Sequence, residues 1–285
     1  SRSDVAICYI SDSVDQSILD RMRSLIQSID VDALTMNIES LAECMFTHKW
    51  INPFPKFKYS ERPDTATAAI LDGNIVIMVD NSPAVMIIPA SIFDIIEEAD
   101  DFNFSPMIGS YLRITRFFFS IVTWILTPLW LLLVNNPEWV PEFMKFILIT
   151  ADITVPVLLQ LLILELAVDG LKLAAVNTPT MLSTPLSIVA GIVVGEYAVS
   201  SGWFNPESLL YMAVVTVGTY GQTNFEMGYA FKFLRVLTLI LTQIFNFGGF
   251  IAGVVISVLM IAFNRTITGK SYIYPLIPWD GKMLK

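Results

Sequence analysis

The sequence predicts an α/β (α+β) soluble domain followed by an all-α polytopic membrane domain, and three observations carry that expectation. Residues 1–110 hold 7 Lys+Arg against 17 Asp+Glu, whereas residues 111–285 hold 10 against 9. Hydrophobic residues make up 54% of the chain, charged residues 15%, and mean hydropathy is +0.63; apolar content stands above, and charge below, the soluble average. The first third alternates short β-branched runs with helical periods, and long apolar runs dominate the rest. The expected parts are an acidic cytosolic domain over 1–110, itself part of a larger N-terminal region, a helical transmembrane domain over 111–270, and the start of a cytosolic tail over 271–285. Runs of spanning length would give about four to six membrane segments.

In the acidic part, SDVAICYI (Ser3 to Ile10) is β-branched and reads as a buried strand. Asp12 or Ser13 can cap the helix that follows, in which Val14, Ile18, Met22, Leu25, Ile26 and Ile29 keep a 3.6-residue period. IDVDAL, from Ile29, suggests a short second strand, and Ile38 to Phe46 a second helix. INPFPKFKYSERPD (Ile51 to Asp64) carries three prolines and reads as an irregular but structured loop. Pro63 suits the first turn of a helix that Asp72-Gly73-Asn74 ends. IVIMVD and AVMIIP then read as two strands around Asn81-Ser82-Pro83, followed by a short helix from Ser91 to Asp100.

At Tyr111 the pattern changes. Ile114 to Val134 is an apolar run long enough to span, with Arg113 and Arg116 at its start and Pro128 as a kink. The two arginines place the N-terminal domain in the cytosol by the positive-inside bias, and Trp124, Trp130 and Trp139 suit interface anchors. Phe143 to Val168 is interrupted by Asp152, Pro156, Gln160 and Glu165, as in a broken span, an interfacial helix or a cavity lining. Glu165, Asp169 and Lys172 share one helical face, and Lys172 is expected to pair with one of the acids. Phe231 to Asn264 is too long for one comfortable span. Folding at Gly248-Gly249 would return Lys232, Arg235, Arg265 and Lys270 to one side, with Gly249 and Gly253 as a small-residue packing face.

Leu186 to Trp203, LSIVAGIVVGEYAVSSGW, reads as a short apolar helix of about 24 Å, less than a hydrocarbon core of ~30 Å. At α-helical pitch Ser187, Gly191, Gly195, Ala198 and Gly202 share a close-packing face, and Val189, Val193, Glu196 and Ser200 stack opposite. An acid in such a helix faces a cavity or a partner.

Several chemistries lack their residues. No glycine-rich phosphate loop, metal-ligand spacing or nucleophile elbow occurs, and His48 is the only histidine, expected to be solvated or capping. No metal or cofactor is therefore expected, nor enzymatic activity. Cys8 and Cys44 lack a disulfide or zinc pattern and read as reduced thiols. The acidic head argues against nucleic acid, despite interleaved Lys and aromatic residues near Phe54. The chain opens on Ser1-Arg2-Ser3 without Met and is expected to be a piece of a longer protein, so targeting signals can lie outside it.

The run INPFPKFKYSERPDTATAAILDGNIVIMVDNSPAVMIIP, with NPFP, ERPD, L-D-G, V-D and S-P in that order, resembles the GerA family of spore germination proteins, specifically its receptor A-type subunits. NTPTMLSTPLSIVAGIVVGEYAVSSGWFNPESLLYMA and SYIYPLIPWDGK extend the resemblance to nearly the whole chain. The resemblance implies an integral protein of the spore inner membrane that oligomerises, contacts the lipid bilayer and takes part in ion release alongside other germination-protein membrane subunits. The family's proteins extend further at both termini, and receptor A subunits more often carry an amide where Glu196 stands. Nutrient recognition is attributed to a B-type partner, so no germinant site is assigned.

Three roles fit the residues. As a channel subunit, Val189 and Val193 would form an apolar constriction and Glu196 and Ser200 would meet the ion, with Glu165 and Asp169 as secondary candidates for the ion path. Broken helices and midplane acids also suit a secondary transporter, though no inverted repeat is evident. A non-conducting scaffold would use Gly191, Gly195, Gly202, Gly249 and Gly253 for assembly alone.

Overall fold

The computed structural model describes residues 3–31, 37–45, 52–98, 104–150, 154–177, 191–222, 224–267, 269 and 271–274. They form two compact units, one of Ser1–Ile114, Thr223–Met227 and Val258–Lys285, the other of Thr115–Gln222 and Gly228–Ser257.

The first unit is built on a four-stranded antiparallel sheet in the order β1-β3-β4-β2, with β1 Val5–Cys8, β2 Lys58–Ser60, β3 Ile75–Val79 and β4 Val85–Ile88. The β3–β4 hairpin pairs Ile75 with Ile88, and Asn81 turns the chain at φ 59. The side chains of β3 alternate between two faces, and all but Met78 are buried. Ile75, Ile77 and Val79 join Met86 and Ile88 beneath α1 (Gln16–Gln27) and α2 (Ile38–Met45). Val76 and Ile87 face Ala66 and Ala69 of α3 (Pro63–Leu71) on the other side. The antiparallel pairing makes the domain α+β.

Sequence and structure differ locally. Asp15, rather than Asp12 or Ser13, caps α1 by accepting from Ser17 N at 3.0 Å. The loop Ile51 to Asp64 contains β2, a three-residue edge strand too short for a period to reveal. The helix expected from Ser91 is α4, Ile92–Ile96, with a capping box between Ser91 and Asp94. His48 and half of the strand suggested at IDVDAL lie outside the described residues. Cys8 and Cys44 are free thiols.

The segment after the last long helix folds into this unit. Ile267 joins the core of α1, α2 and the sheet. Tyr272 is 0% exposed; its hydroxyl donates to Pro55 O at 2.9 Å, and its carbonyl accepts from Ile92 N at 3.0 Å. Lys56 Nζ donates to Arg265 O at 2.8 Å. Residues separated by two hundred positions thus share one core.

Two helices are long and apolar enough to cross a membrane: α5, Pro106–Asn135, with Pro128 inside it, and α9, Phe225–Ala262. Between them lie two short 3₁₀ segments, Pro137–Trp139 and Glu142–Ile147, then α6 (Val157–Asn177), a π-helical stretch Gly191–Tyr197, α7 (Ala198–Ser200) and α8 (Pro206–Tyr220). Trp130, Leu131, Leu161, Leu164, Met212 and Leu239 form the core of the second unit. Trp130 is not an interface anchor: it stacks on Tyr211 at 4.6 Å and donates to Ile147 O at 2.8 Å. Trp124 is buried too, whereas Trp139 is exposed.

The last apolar run is a hairpin, and it folds at Asn246 (φ 50, ψ −128) rather than at Gly248-Gly249. Asn tolerates positive φ better than other side-chain-bearing residues. Its amide is also held by Asn136, in reciprocal hydrogen bonds of 2.6 and 3.0 Å. The glycines serve instead where the arms touch. A Cβ on Gly249 would overlap the Leu241 carbonyl, and one on Gly253 would lie 2.8 Å from Thr238 Cγ2. In a straight helix those partners would stand roughly 12 and 22 Å apart.

Candidate functional site: a buried ionic layer

Two helices of the second unit bring charge into its interior, and a third supplies a carbonyl. Glu165 and Asp169 lie one turn apart on α6, and Lys232 and Arg235 one turn apart on the first arm of α9. Glu165 is 4% exposed and Arg235 3%. Arg235 Nε donates to Glu165 Oε1 at 2.5 Å and Nη2 to Oε2 at 2.8 Å, a fork-on-fork pair. Its third branch, Nη1, donates to the Thr123 carbonyl of α5 at 2.5 Å. Lys232 donates to Asp169 and to the Glu165 carbonyl, and stands 3.6 Å from Glu165 Oε2. Two acids thus meet two bases, each charge hydrogen-bonded, with Glu165 and Arg235 buried and Lys232 and Asp169 half-buried.

Lys172 does not join the acids as expected from spacing. Its ammonium sits over the rings of Tyr220 and Tyr229, at 5.3 and 5.7 Å. Lys232 and Arg235, read from sequence as flanking cations, have taken its place. The missing signal is three-dimensional: the two pairs are separated by more than sixty residues.

Polar and glycine contacts complete the layer. Thr123 Oγ1 accepts from Gln222 Nε2 at 3.2 Å and donates to Ser120 O at 2.9 Å. A Cβ on Gly218 of α8 would lie 2.6 Å from Thr123 Cγ2, so this glycine sets the close approach of α8 to α5. Gln160 of α6 donates to Asn205 Oδ1 at 2.6 Å and accepts from Asn205 N at 2.9 Å, tying α6 to the start of α8. Neither Gly218 nor Thr123 was legible as special, because their neighbours are distant in sequence.

The other sequence candidates fall elsewhere. Val189 lies outside the described residues, and Val193 belongs to the π-helical stretch Gly191–Tyr197. Glu196 and Ser200 are exposed, and Ser200 Oγ donates to Tyr197 O at 3.1 Å. A π-helix bonds i to i+5, so residues three and four apart no longer stack as they would at α-helical pitch. Among the described residues a Cβ on Gly191 or Gly195 would meet nothing within 4 Å, whereas Gly202 adopts φ +76 and stands near Thr154. Only Gly249 and Gly253 of the five candidate glycines make tight interhelical contacts among the described residues. Among the described residues no group of His, Cys, Asp and Glu is placed to hold a metal ion. In the first unit a cavity of about 150 Å³ is lined by Lys58, Asp64, Asp72, Asp94 and Glu97, among others. There the Lys58 ammonium is already held by the Asp94 and Glu97 carbonyls, at 2.5 and 3.0 Å.

The chain thus combines a small antiparallel sheet with a mostly helical part, in which two helices are long and apolar enough to cross a membrane and an ionic layer lies among helices. The whole chain, residues 1–285, matches the family model described as Bacillus/Clostridium GerA spore germination protein, and the chain belongs to that family. It is 35% identical over 284 residues to stage V sporulation protein AF of Bacillus subtilis (strain 168), covering 100% of this chain and 57% of that protein. It is 27% identical to spore germination protein GerLA of Bacillus cereus, covering 98% and 56%. With spore germination protein KA of Bacillus subtilis (strain 168) the identity is 24%, over 100% and 52%. The chain thus spans little more than half the length of these relatives. No solved structure matches it.

Proposed function

We propose that this chain is the central part of an integral membrane subunit of the spore inner membrane. Several copies assemble with other germination-protein subunits, and the assembly takes part in ion release during germination. The role is that of a membrane subunit, not an enzyme. Membership of the GerA family over the full chain supports the germination role. The observation that carries the membrane reading is the Arg235–Glu165 layer enclosed by α5, α6 and α9, two of which are long and apolar enough to span. Intramembrane charge of this kind faces protein and is paired. Arg113 and Arg116 favour a core-side position for the N-terminal unit, and α6 and α8 are the candidates for the remaining spans of a polytopic domain.

In this reading the stretch from Leu186 to Trp203 lines the ion path, with Glu196 drawing cations. The exposure of Glu196 and the open surroundings of Gly191 and Gly195 support it, because a second copy can approach there. The test is potassium release from germinating spores whose only copy is Glu196→Gln or Val193→Ala. Altered release is expected in at least one; unchanged release in both, at normal protein level, removes the pore assignment. A second reading is a non-conducting assembly subunit, favoured by the internal compensation of the four charges. Conductance of the isolated complex separates the two.

A further inference from the structure

Four buried hydroxyls in the second unit share one habit, whereas Thr123 donates to the carbonyl three residues before and the Ser208 hydroxyl finds no partner among the described residues. Ser120, Thr238, Thr242 and Ser257 each donate to the carbonyl four residues before, at 2.7 to 2.9 Å. Thr127 on α5 breaks it: the residue is 0% exposed and its hydroxyl has no hydrogen-bond partner among the described residues. The carbonyl it would ordinarily use is that of Thr123, which accepts from Arg235 Nη1. One residue further along, Pro128 has no N–H, so the Trp124 carbonyl loses its helical donor. The Thr127 hydroxyl and the Trp124 carbonyl belong to the turn that follows the Thr123 carbonyl, on which Arg235 Nη1 is seated. A buried polar group left alone costs more than a hydrogen bond gains, so some ligand is expected to satisfy them.

The chemistry selects that ligand. A cation is disfavoured by the adjacent guanidinium, and an anion by the carbonyl and the nearby Glu165. A neutral molecule that both donates and accepts fits. Arg235 has five N–H groups, three of which are committed to Glu165 and Thr123. We propose that the Pro128 turn binds one buried water, held by Thr127 Oγ1, the Trp124 carbonyl and a remaining N–H of Arg235. This water donates to the carbonyl, exchanges a hydrogen bond with the hydroxyl and accepts from the guanidinium, three partners as buried waters usually have. It joins the ionic layer to the proline turn, so α5 can bend there without stranding a carbonyl. The site stands whether or not the assembly conducts ions.

Thr127→Val, of the same shape, distinguishes a wet turn from a dry one. If the water bridges, the valine removes one of its anchors and the purified full protein melts about 2–4 °C lower, while Thr127→Ser keeps the hydroxyl and so the bridge, losing only a buried methyl. If the hydroxyl is simply unpartnered, valine relieves a buried polar group, and an unchanged or raised Tm overturns the proposal. The second measurement is a water contact to the Arg235 side chain in ¹⁵N-arginine-labelled protein, assigned by its loss in Arg235→Lys. That contact is expected in the wild type and lost in Thr127→Val; its absence from the wild type overturns the site whatever the Tm.

Discussion

Arg235 and Glu165 meet through two parallel hydrogen bonds of 2.5 and 2.8 Å, each between a different guanidinium nitrogen and a different carboxylate oxygen. The pair joins α9 to α6, and the third guanidinium branch reaches α5 through Thr123. Three helices are thereby fixed at one level by a single side chain. Desolvating two charges is costly, and the attraction between them roughly offsets that cost only when the geometry is good and the remaining donors are satisfied.

Removing one partner is therefore expected to be worse than removing both. Glu165→Leu or Arg235→Leu alone leaves a charge buried beside Lys232 or Asp169 and should destabilise by about 3–5 kcal/mol. The double substitution Glu165→Leu with Arg235→Leu should recover a large part of that loss. Thermal unfolding of the four purified proteins as a double-mutant cycle measures the coupling. Additive losses would show that the fork contributes nothing as a pair.

The hairpin makes a sharper prediction from neighbouring glycines. Gly249 faces the Leu241 carbonyl with no room for a Cβ, whereas Gly248 has nothing within 4 Å. Gly249→Ala forces the arms apart and should cost about 1–3 kcal/mol or more. Gly248→Ala should be neutral or stabilise by up to about 1 kcal/mol, since alanine is the better helix former. Expression level and Tm of the two variants, compared side by side, check the fold of α9. Equal effects would favour one continuous helix.

The sequence revealed the fold where a pattern is local. The strand from Ser3, the helix starting at Pro63 and the β3–β4 hairpin follow from β-branched runs, Pro at a first helical turn and Asn at a turn. The reversal of α9 was legible from its length, but its position was not, because Asn246 is held by Asn136 more than a hundred residues away. The ionic layer was half legible. Glu165 and Asp169 stand out as acids in an apolar helix, yet spacing alone pairs them with Lys172. Only the packing of α9 against α6 brings Lys232 and Arg235 nearer. The same limit hid Tyr272 and Ile267, whose place in the first unit depends on the chain returning after the hairpin.

That return predicts how the first unit behaves when cut. A fragment ending near residue 110 lacks Ile267 and Tyr272 and should be far less stable than the full chain. Within the full chain Tyr272→Ala should cost about 3–5 kcal/mol, as for other large aromatic truncations. Tyr272→Phe, which removes only the hydrogen bond to Pro55, should cost about 1 kcal/mol. Protease resistance of this unit across the three proteins ranks them. A Tyr272→Ala protein as resistant as wild type would show that the returning segment adds nothing.

The same tyrosine gives the unit an alkaline limit. Burial pushes the Tyr272 phenol well above its ordinary 10.0, and Glu226 and Asp94 push it further. Tyr59 is raised in the same sense, by burial first and then by Glu226, Glu39 and Glu43. In the unfolded chain both phenols ionise near their ordinary value, whereas in the folded unit they remain neutral. The unfolded state therefore binds fewer protons above pH 10, and stability falls as pH rises. Below that value both phenols are neutral in either state, and their contribution is constant. Unfolding followed through tyrosinate absorbance and circular dichroism should show the two phenols ionising together with loss of structure. In Tyr272→Phe the loss of stability with rising pH should be shallower, because one proton fewer is linked to unfolding. A slope unchanged by that substitution would mean that Tyr272 ionises freely in the folded protein, contrary to its complete burial.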